Sequence, residues 1–167
     1  MKSLRSALLL SMSVATLASA AYAEGTKVEA DPIVNLRLRA EQVDQDGRDD
    51  TTALTVRGRF GYNFKLESGW SALAEVEGIA HLNDDFSDTV DNVPGKAVVA
   101  DPEAFELNRL QIGWKGEKAN ATVGRQRIIL DGARYVGNVG FRQNEQTFDA
   151  ARFGFYRSRT FRWITST

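Results

Sequence analysis

The sequence predicts an all-β protein, an antiparallel transmembrane β-barrel of the outer-membrane type, of which about six strands are present. Three features favour this fold class. Apolar and polar residues alternate along several segments, short and long connections alternate between these segments, and aromatic residues gather beside the short connections. In the stretch IVNLRLRAEQV (33–43), the even positions from Val34 to Ala40 are apolar and the odd positions from Asn35 to Glu41 are polar, which is the period of a strand with one apolar face.

Residues 1–23, MKSLRSALLLSMSVATLASAAYA, are predicted to be a secretory signal peptide. Lys2 and Arg5 precede an apolar run, and Ala21-Tyr-Ala23 fits the small-x-small cleavage rule. Ser and Thr interrupt the apolar run, which is short for a membrane helix of roughly 20 apolar residues. We therefore expect export and cleavage after Ala23. After the signal peptide, no apolar run in the sequence is long enough for a membrane helix.

Six strands are expected after a short polar lead-in. Tight turns follow the second and fourth strands, and long loops precede the fourth and sixth. The predicted strands are 33–43, 53–64, 70–82, 105–115, 119–127 and one near 147–155. The fifth departs from simple alternation because Ala121 and Val123 have the same parity as Arg125 and Arg127. Either this strand leaves the membrane there, or a bulge near Gly124 switches its faces.

Four aromatic residues lie beside the two tight turns: Tyr62, Phe64, Trp70 and Trp114. If both turns face one side of a membrane, these rings form a belt at a single interface. A secreted β-sandwich would also have alternating strands, but it requires neither alternating loop lengths nor aromatic residues at one set of turns. The pattern therefore favours the membrane barrel.

The polar face of such a barrel points into the lumen, because Arg or Lys on the lipid face at mid-depth costs roughly 2–4 kcal/mol. Charged residues on the first three strands share this face: Arg37, Arg39, Glu41, Arg57, Arg59, Glu75 and Glu77. The carboxylates can pair with the guanidinium groups across strands. Two interpretations remain open. The arginines guide an anionic solute, or the charges only neutralise one another and keep the lumen wet.

Composition and motifs argue against several other functions. Removing the signal peptide takes away two basic and no acidic residues, which leaves 19 against 22 and a net charge of about −3, so no nucleic-acid partner is expected. One histidine and no cysteine exclude the common zinc sites, and no phosphate-binding, dinucleotide or nucleophile-elbow motif occurs. The segment NDDFSDTVDN lacks the EF-hand spacing and fits a solvated loop better. We expect no cofactor, no metal and no enzymatic activity.

The segments LRLRAEQVDQDG, VVADPEAFELNRLQIGWKG and TVGRQRIILDGARYVGNVGFRQNEQTFDA resemble the alginate-export family of bacterial outer-membrane porins. The similarity runs from about Ile33 to about Phe155, and its most specific part starts at GRQ (124–126). The resemblance implies a large monomeric barrel in the bacterial outer membrane that passes solutes, in the best-known case an anionic polysaccharide through an arginine-lined pore. Many members have no assigned solute, so alginate itself is not carried over. The resemblance implies a pore-side position for Gly124, Arg125 and Gln126.

After Phe155 the sequence reads YRSRTFRWITST, in which alternation fails, and the terminal aromatic residue usual in the family is missing. Six strands are fewer than the eight of the smallest outer-membrane barrels. We therefore expect residues 24–155 to be the N-terminal strands of a barrel and residues 156–167 to be an aberrant tail. Two explanations fit: a frameshift shortly after Phe155, or a short protein whose strands complete a barrel with other chains.

The predicted function is that of an outer-membrane porin-like channel, a truncated one, for passive passage of small or anionic solutes, including polysaccharides. The expected partners are outer-membrane lipid, the barrel-assembly machinery and these solutes. The expected contacts on the lumen wall are Arg37, Arg39, Arg57, Arg59, Glu75, Glu77 and Arg125. The alternative is a secreted or periplasmic β-sandwich that binds carbohydrate. An envelope enzyme would require a catalytic cluster that the sequence does not show.

Overall fold

The computed structural model describes residues 27–156, which form one antiparallel sheet of six strands. The strands are β1 (Val28–Val43), β2 (Thr51–Leu66), β3 (Trp70–His81), β4 (Ala104–Lys115), β5 (Ala119–Gln126) and β6 (Phe148–Phe155). A single 3₁₀ turn at Asp131–Ala133 interrupts the β5–β6 loop. All six predicted strands are present. The predicted signal peptide and the predicted tail, apart from Tyr156, lie outside the described residues.

The strands follow one another across the sheet in chain order, from β1 to β6. β1 and β2 pair along 16 residues, from Val28 opposite Leu66 to Val43 opposite Thr51. Within residues 27–156, β1 and β6 pair only with β2 and β5 respectively, so the described sheet is open. The predicted all-β fold with antiparallel strands is thus confirmed, but the described strands do not close into a barrel.

The two short turns meet at one end of the sheet. Gly69 adopts φ +87° in the β2–β3 turn, and a Cβ there would lie 2.3 Å from the carbonyl oxygen of Lys115, so only glycine fits. The Lys115 amide in turn donates to the carbonyl of Gly69 at 2.9 Å. Trp70 lies directly opposite Trp114 across β3 and β4. This close approach places Trp70 and Trp114, two of the four aromatic residues named above, on neighbouring strands.

A β-bulge changes the register between β3 and β4. Glu75 lies opposite Arg109, whereas Val76 lies opposite Leu107, so Asn108 is an extra residue in β4. As a result, Asn108 and Arg109 both reach Glu75 on the polar face. The bulge considered for Gly124 is not observed, because the pairing of β5 with β4 and with β6 runs through Gly124 without a shift.

The apolar face of the sheet is open, and the polar face is covered. Val34, Leu36 and Leu38 of β1 are 69%, 69% and 70% exposed. On the opposite face Glu75 and Glu77 are 1% and 0% exposed. The residues that cover this face come from the β3–β4 loop (82–103) and the β5–β6 loop (127–147), which hydrogen-bond to polar side chains of β1 and β2. In the part of the chain that the structure describes, no layer packs on the apolar face.

The β3–β4 loop packs mainly against the first residues of β2. Ala53 packs with Phe86 and Val99 of the loop in a small buried apolar cluster, which Val43 borders. Asn83 bridges to β2 by accepting from the Leu54 amide at 2.8 Å and donating to the Thr52 carbonyl at 2.7 Å. Among residues 27–156 there is no helix of the length and apolar character needed to cross a membrane.

Candidate functional site

The candidate site is the covered polar face of the sheet, where buried arginines and carboxylates form a continuous network that we call the polar cluster. Its members are Arg57, Arg59, Glu75, Glu77, Asn108, Arg109, Arg127 and Glu145. Because side chains at every second strand position share a face, alternation on β2 and β3 brings the first four together. Of the lumen-wall residues predicted from the sequence, four lie in this cluster: Arg57, Arg59, Glu75 and Glu77.

Glu77 binds the two arginines of β2. Arg59 lies directly opposite Glu77 in the β2–β3 pairing, and its Nε donates to the Glu77 carboxylate. Arg57 Nε lies 3.9 Å from the same carboxylate oxygen. Since all three side chains are buried, each charge depends on the others for compensation.

The charge of the Glu75 carboxylate is compensated by side chains of β4 and by Arg127, on the same polar face. Arg109 makes a bidentate contact with its carboxylate, at 2.9 Å from Nε and 2.7 Å from Nη2. Asn108 Nδ2 donates to Glu75 at 2.8 Å, and Arg127 Nη2 lies 3.4 Å away. Bidentate arginine–carboxylate pairs fix orientation as well as charge, so the bulge in β4 orders this end of the cluster.

Glu145 carries the cluster into the β5–β6 loop. Arg127 Nε lies 2.7 Å from each carboxylate oxygen of Glu145, and Asn108 and Asn138 donate to it at 2.6 and 2.9 Å. Arg59 Nη2 lies 3.4 Å from the same carboxylate. Burial acts to raise the pKa of Glu145, but these donors outweigh it and the pKa lies below the ordinary value of 4.5. The pKa of Arg127 is raised, because the Glu145 carboxylate outweighs the opposing effect of burial.

Arg37 lies directly opposite Arg57 in the β1–β2 pairing. Like charges directly opposite destabilise a strand pair, and here the β5–β6 loop supplies the acceptors. Arg37 donates to the carbonyls of Gly140, Phe141 and Arg142 at 3.2, 2.8 and 3.0 Å. Arg57 donates to the next carbonyl, that of Gln143, at 3.4 Å and to Asn35 Oδ1 at 2.6 Å. Four consecutive loop carbonyls therefore bind the two arginines.

Arg39 contacts the other long loop. Its guanidinium binds Glu41 on its own strand and Asp101 of the β3–β4 loop. Asp101 also accepts from the Gln143 amide at 2.8 Å, and its carbonyl lies 2.9 Å from His81 Nε2. Asp101 thus joins β1, β3 and both long loops at one buried point.

Arg125 does not join the polar cluster, which corrects the expectation that it lies on the same wall. The unshifted register places it opposite Leu110, with the parity of Val123, and Gly124 leaves no bulge to turn it around. Its guanidinium instead makes a bidentate contact with Asp149, directly opposite on β6, at 3.0 and 2.9 Å. Gln126 is buried and donates to the Ala150 carbonyl at 2.8 Å.

Several residues of the site are not predicted by the sequence analysis. They are Asp101, Asn108, Arg109, Arg127, Gln143 and Glu145. Arg109 has a usable signal, since it alternates with apolar residues on β4 and lies opposite Glu75. The loop residues have none, because a loop has no side-chain period and its docking depends on contacts between distant segments. Within the described range, no group of three or more His, Cys, Asp or Glu side chains is arranged to hold a metal ion.

Comparisons of the chain with protein-family models, with curated proteins and with solved structures find no match.

Replacing Glu77 tests the compensation within the polar cluster. Glu77→Gln leaves Arg57 and Arg59 buried without their shared carboxylate, and removing one partner of a buried ion pair costs about 3–5 kcal/mol. We expect this loss in the free energy of unfolding, measured by urea titration of the whole chain in detergent micelles at pH 7. The matched control is Glu29→Gln, an exposed carboxylate of β1, which should leave the unfolding midpoint unchanged. Equal shifts in the two variants would show that Glu77 carries no special role.

Because the pKa of Glu145 is lowered, acid weakens the docking of the β5–β6 loop. A carboxylate whose pKa is lowered by folding stabilises the folded state at every pH above its ordinary pKa, which is 4.5 for Glu145. This contribution is lost as the pH falls through the lower pKa of the folded state. Protection of loop amides from hydrogen exchange, corrected for intrinsic rates, should therefore stay constant from neutral pH to about 5 and fall below 4.5. Glu145→Gln removes the titrating carboxylate. The same loss of amide protection in this variant would therefore show that Glu145 is not the group responsible.

Proposed function

We propose that this chain forms part of the wall of an outer-membrane porin-like barrel, with its apolar face in lipid and its polar face toward a lumen that passes small or anionic solutes. The observation that carries the proposal is the inverted burial of the sheet. Large apolar side chains lie exposed on one face, whereas arginines and glutamates lie buried on the other. Moving one large apolar side chain out of water is favourable by about 1.5–3 kcal/mol. The apolar face is therefore suited to lipid.

The alternative of a secreted β-sandwich requires a second layer on the apolar face. Among the described residues, the segments available as a cover are the two long loops, and their polar anchors bind the charged face instead. A carbohydrate-binding sandwich is therefore not supported by a specific observation. A water-filled lumen, by contrast, accommodates a charged wall and the loops that fold onto it.

The unpaired edges of β1 and β6 require partner strands if the sheet is to lie in a membrane. β1 offers a 16-residue edge, and in lipid each unpaired backbone group costs several kcal/mol. The proposal therefore includes further strands beside β1 and β6, with outer-membrane lipid around the apolar face. Insertion would depend on the barrel-assembly machinery, an expectation that comes from the resemblance to the alginate-export porins.

The charges of the polar face do not themselves select the sign of the solute. Arginines and carboxylates meet there in nearly equal numbers, because Asp88, 3.6 Å from His81 Nε2, and Glu106, directly opposite Glu77, add to the carboxylates bound to arginine. The preference for an anion therefore comes from the resemblance to the alginate-export porins, which points toward a small anion or an anionic polysaccharide without naming one solute.

Tryptophan quenching by brominated lipids tests the membrane position of the sheet. Trp70 and Trp114 lie beside the short turns and should sit at the membrane interface. The third tryptophan, Trp163, is replaced by Phe so that only these two report. We expect bromines near the headgroup to quench more strongly than bromines near the chain ends, and the protein to stay with membranes on fractionation. A soluble chain, unquenched by either lipid, would overturn the proposal.

A further inference from the structure

We infer that the outward face of β5 and β6 is a contact surface for a second copy of this chain, centred on the ion pair of Arg125 and Asp149. The inference rests on the proposed function, because it takes the apolar face of the sheet to lie in a membrane. It adds a protein partner on that face and so differs from the monomeric barrel that the resemblance implies.

The ion pair lies on the apolar face of the sheet. Residues directly opposite each other on neighbouring strands share a face. One row of such partners runs from β2 to β6 and consists of Tyr62, Ala74, Leu110, Arg125 and Asp149. Within strands β1 to β6, Arg125 and Asp149 are the only charged residues on this face. Their side chains are 39% and 69% exposed, so a contact outside the described residues is needed to cover them.

In the proposed position of the sheet, the pair lies at the depth of the lipid chains. Trp114, which marks the membrane interface, lies opposite Ala121, and Arg125 follows Ala121 by four positions. Four residues span roughly 13 Å of strand, or about 10 Å of depth at a tilt of about 40°. The apolar band of such a barrel is about 25 Å tall. The pair is therefore unfavourable against lipid chains alone.

The pair carries both signs of charge and keeps unused hydrogen-bonding groups. Arg125 donates from Nε and Nη2 to Asp149 and from Nη1 to the Leu107 carbonyl. Its remaining N–H groups and the other lone pairs of Asp149 bind nothing else in the part of the chain that the structure describes. A lipid phosphate would meet the Asp149 carboxylate as well as the guanidinium. A protein surface that presents both charges is the better partner.

The outward side chains of β5 and β6 are complementary to themselves. Three of their cross-strand pairs join a larger to a smaller apolar residue, and the fourth joins a positive to a negative one. The pairs are Ala119–Phe155, Ala121–Phe153, Val123–Ala151 and Arg125–Asp149. A two-fold axis along the membrane normal, passing between β5 and β6, lays each strand over the other strand of the second copy. Each phenylalanine then lies over an alanine, and Arg125 lies over the second copy's Asp149.

Charge reversal tests this contact. Arg125→Asp gives the patch two negative charges, and Asp149→Arg gives it two positive charges. Chains with two different affinity tags are co-expressed, extracted from membranes in mild detergent and captured by one tag, and the second tag is then quantified. The matched control is Arg152→Asp, a change on the polar face of β6, opposite Thr122.

We expect parent chains to co-purify and each charge variant to co-purify with itself at least about fivefold less, because like charges then meet across the axis. Co-expression of Arg125→Asp with Asp149→Arg should restore the parent level, because opposite charges meet again. Arg152→Asp should behave as the parent chain does.

Cross-linking tests the same contact with all charges kept. One tagged chain carries Val123→Cys and the other Ala151→Cys, and the membranes are treated with a short bismaleimide, since stacked sheets lie about 10 Å apart. The chain has no cysteine of its own, so every product joins two chains, and we expect one that carries both tags. Leu38→Cys with Val56→Cys, an opposed pair on the same face of β1 and β2, should give none. If the charge variants do not reach the membrane, cross-linking decides the outcome.

Association that persists in both charge variants would overturn the inference and place the contact at the edges of the sheet. Loss in both membrane-inserted variants without restoration on mixing would overturn it in favour of another ligand of the pair, such as an anionic lipid. Membrane-bound parent chains that neither co-purify nor cross-link would also overturn it and would leave the porin function standing. Parent chains that stay soluble would overturn the proposed function as well.

Discussion

The structure depends on finding acceptors for the arginines of one sheet face. Strand alternation places Arg37 and Arg57 directly opposite each other, with Arg59 next along β2. Buried guanidinium groups are tolerated only when carboxylates or carbonyls satisfy them. Glu77 and the carbonyls of the β5–β6 loop supply several of these acceptors. Arg57 Nε and Arg59 Nη2 have no hydrogen-bond partner among the described residues and lie 3.9 and 3.4 Å from the carboxylates of Glu77 and Glu145. The need for acceptors thus draws the loop onto the polar face, and the apolar face is left for another environment.

This arrangement reverses the usual distribution of residues between core and surface. The small apolar cluster of Ala53, Phe86 and Val99 is the hydrophobic core identified among the described residues, and it lies at one end of the sheet. Among the described residues, thirteen polar or charged side chains are buried, against six apolar ones. Such a sheet gains little from the hydrophobic effect in water, because its large apolar side chains stay exposed. In lipid, the environment proposed above, the same side chains would lie in a compatible solvent, and the charged face would keep its ion pairs.

The two-residue period predicts all six strands and the shared face of Arg57, Arg59, Glu75 and Glu77, because side-chain direction in a strand follows from backbone geometry alone. It does not predict the bulge at Asn108, which adds a residue without changing the composition of β4. For the same reason the position of Arg125 is wrong: its face depends on whether the register shifts at Gly124, and it does not. Glu145 and Gln143 are beyond such reasoning, because loop docking joins residues far apart in sequence.

The solvent that each face of β1 meets in a membrane tests the proposed position of the sheet most directly. The chain has no cysteine, so single cysteines at positions 34 to 39 can each carry a nitroxide label in reconstituted protein. Collision rates with oxygen, which concentrates in lipid, and with a water-soluble nickel chelate distinguish the two solvents. We expect oxygen contact at Val34, Leu36 and Leu38, and shielding from oxygen at Asn35, Arg37 and Arg39. Contact with the nickel chelate at all six positions would contradict this position of the sheet.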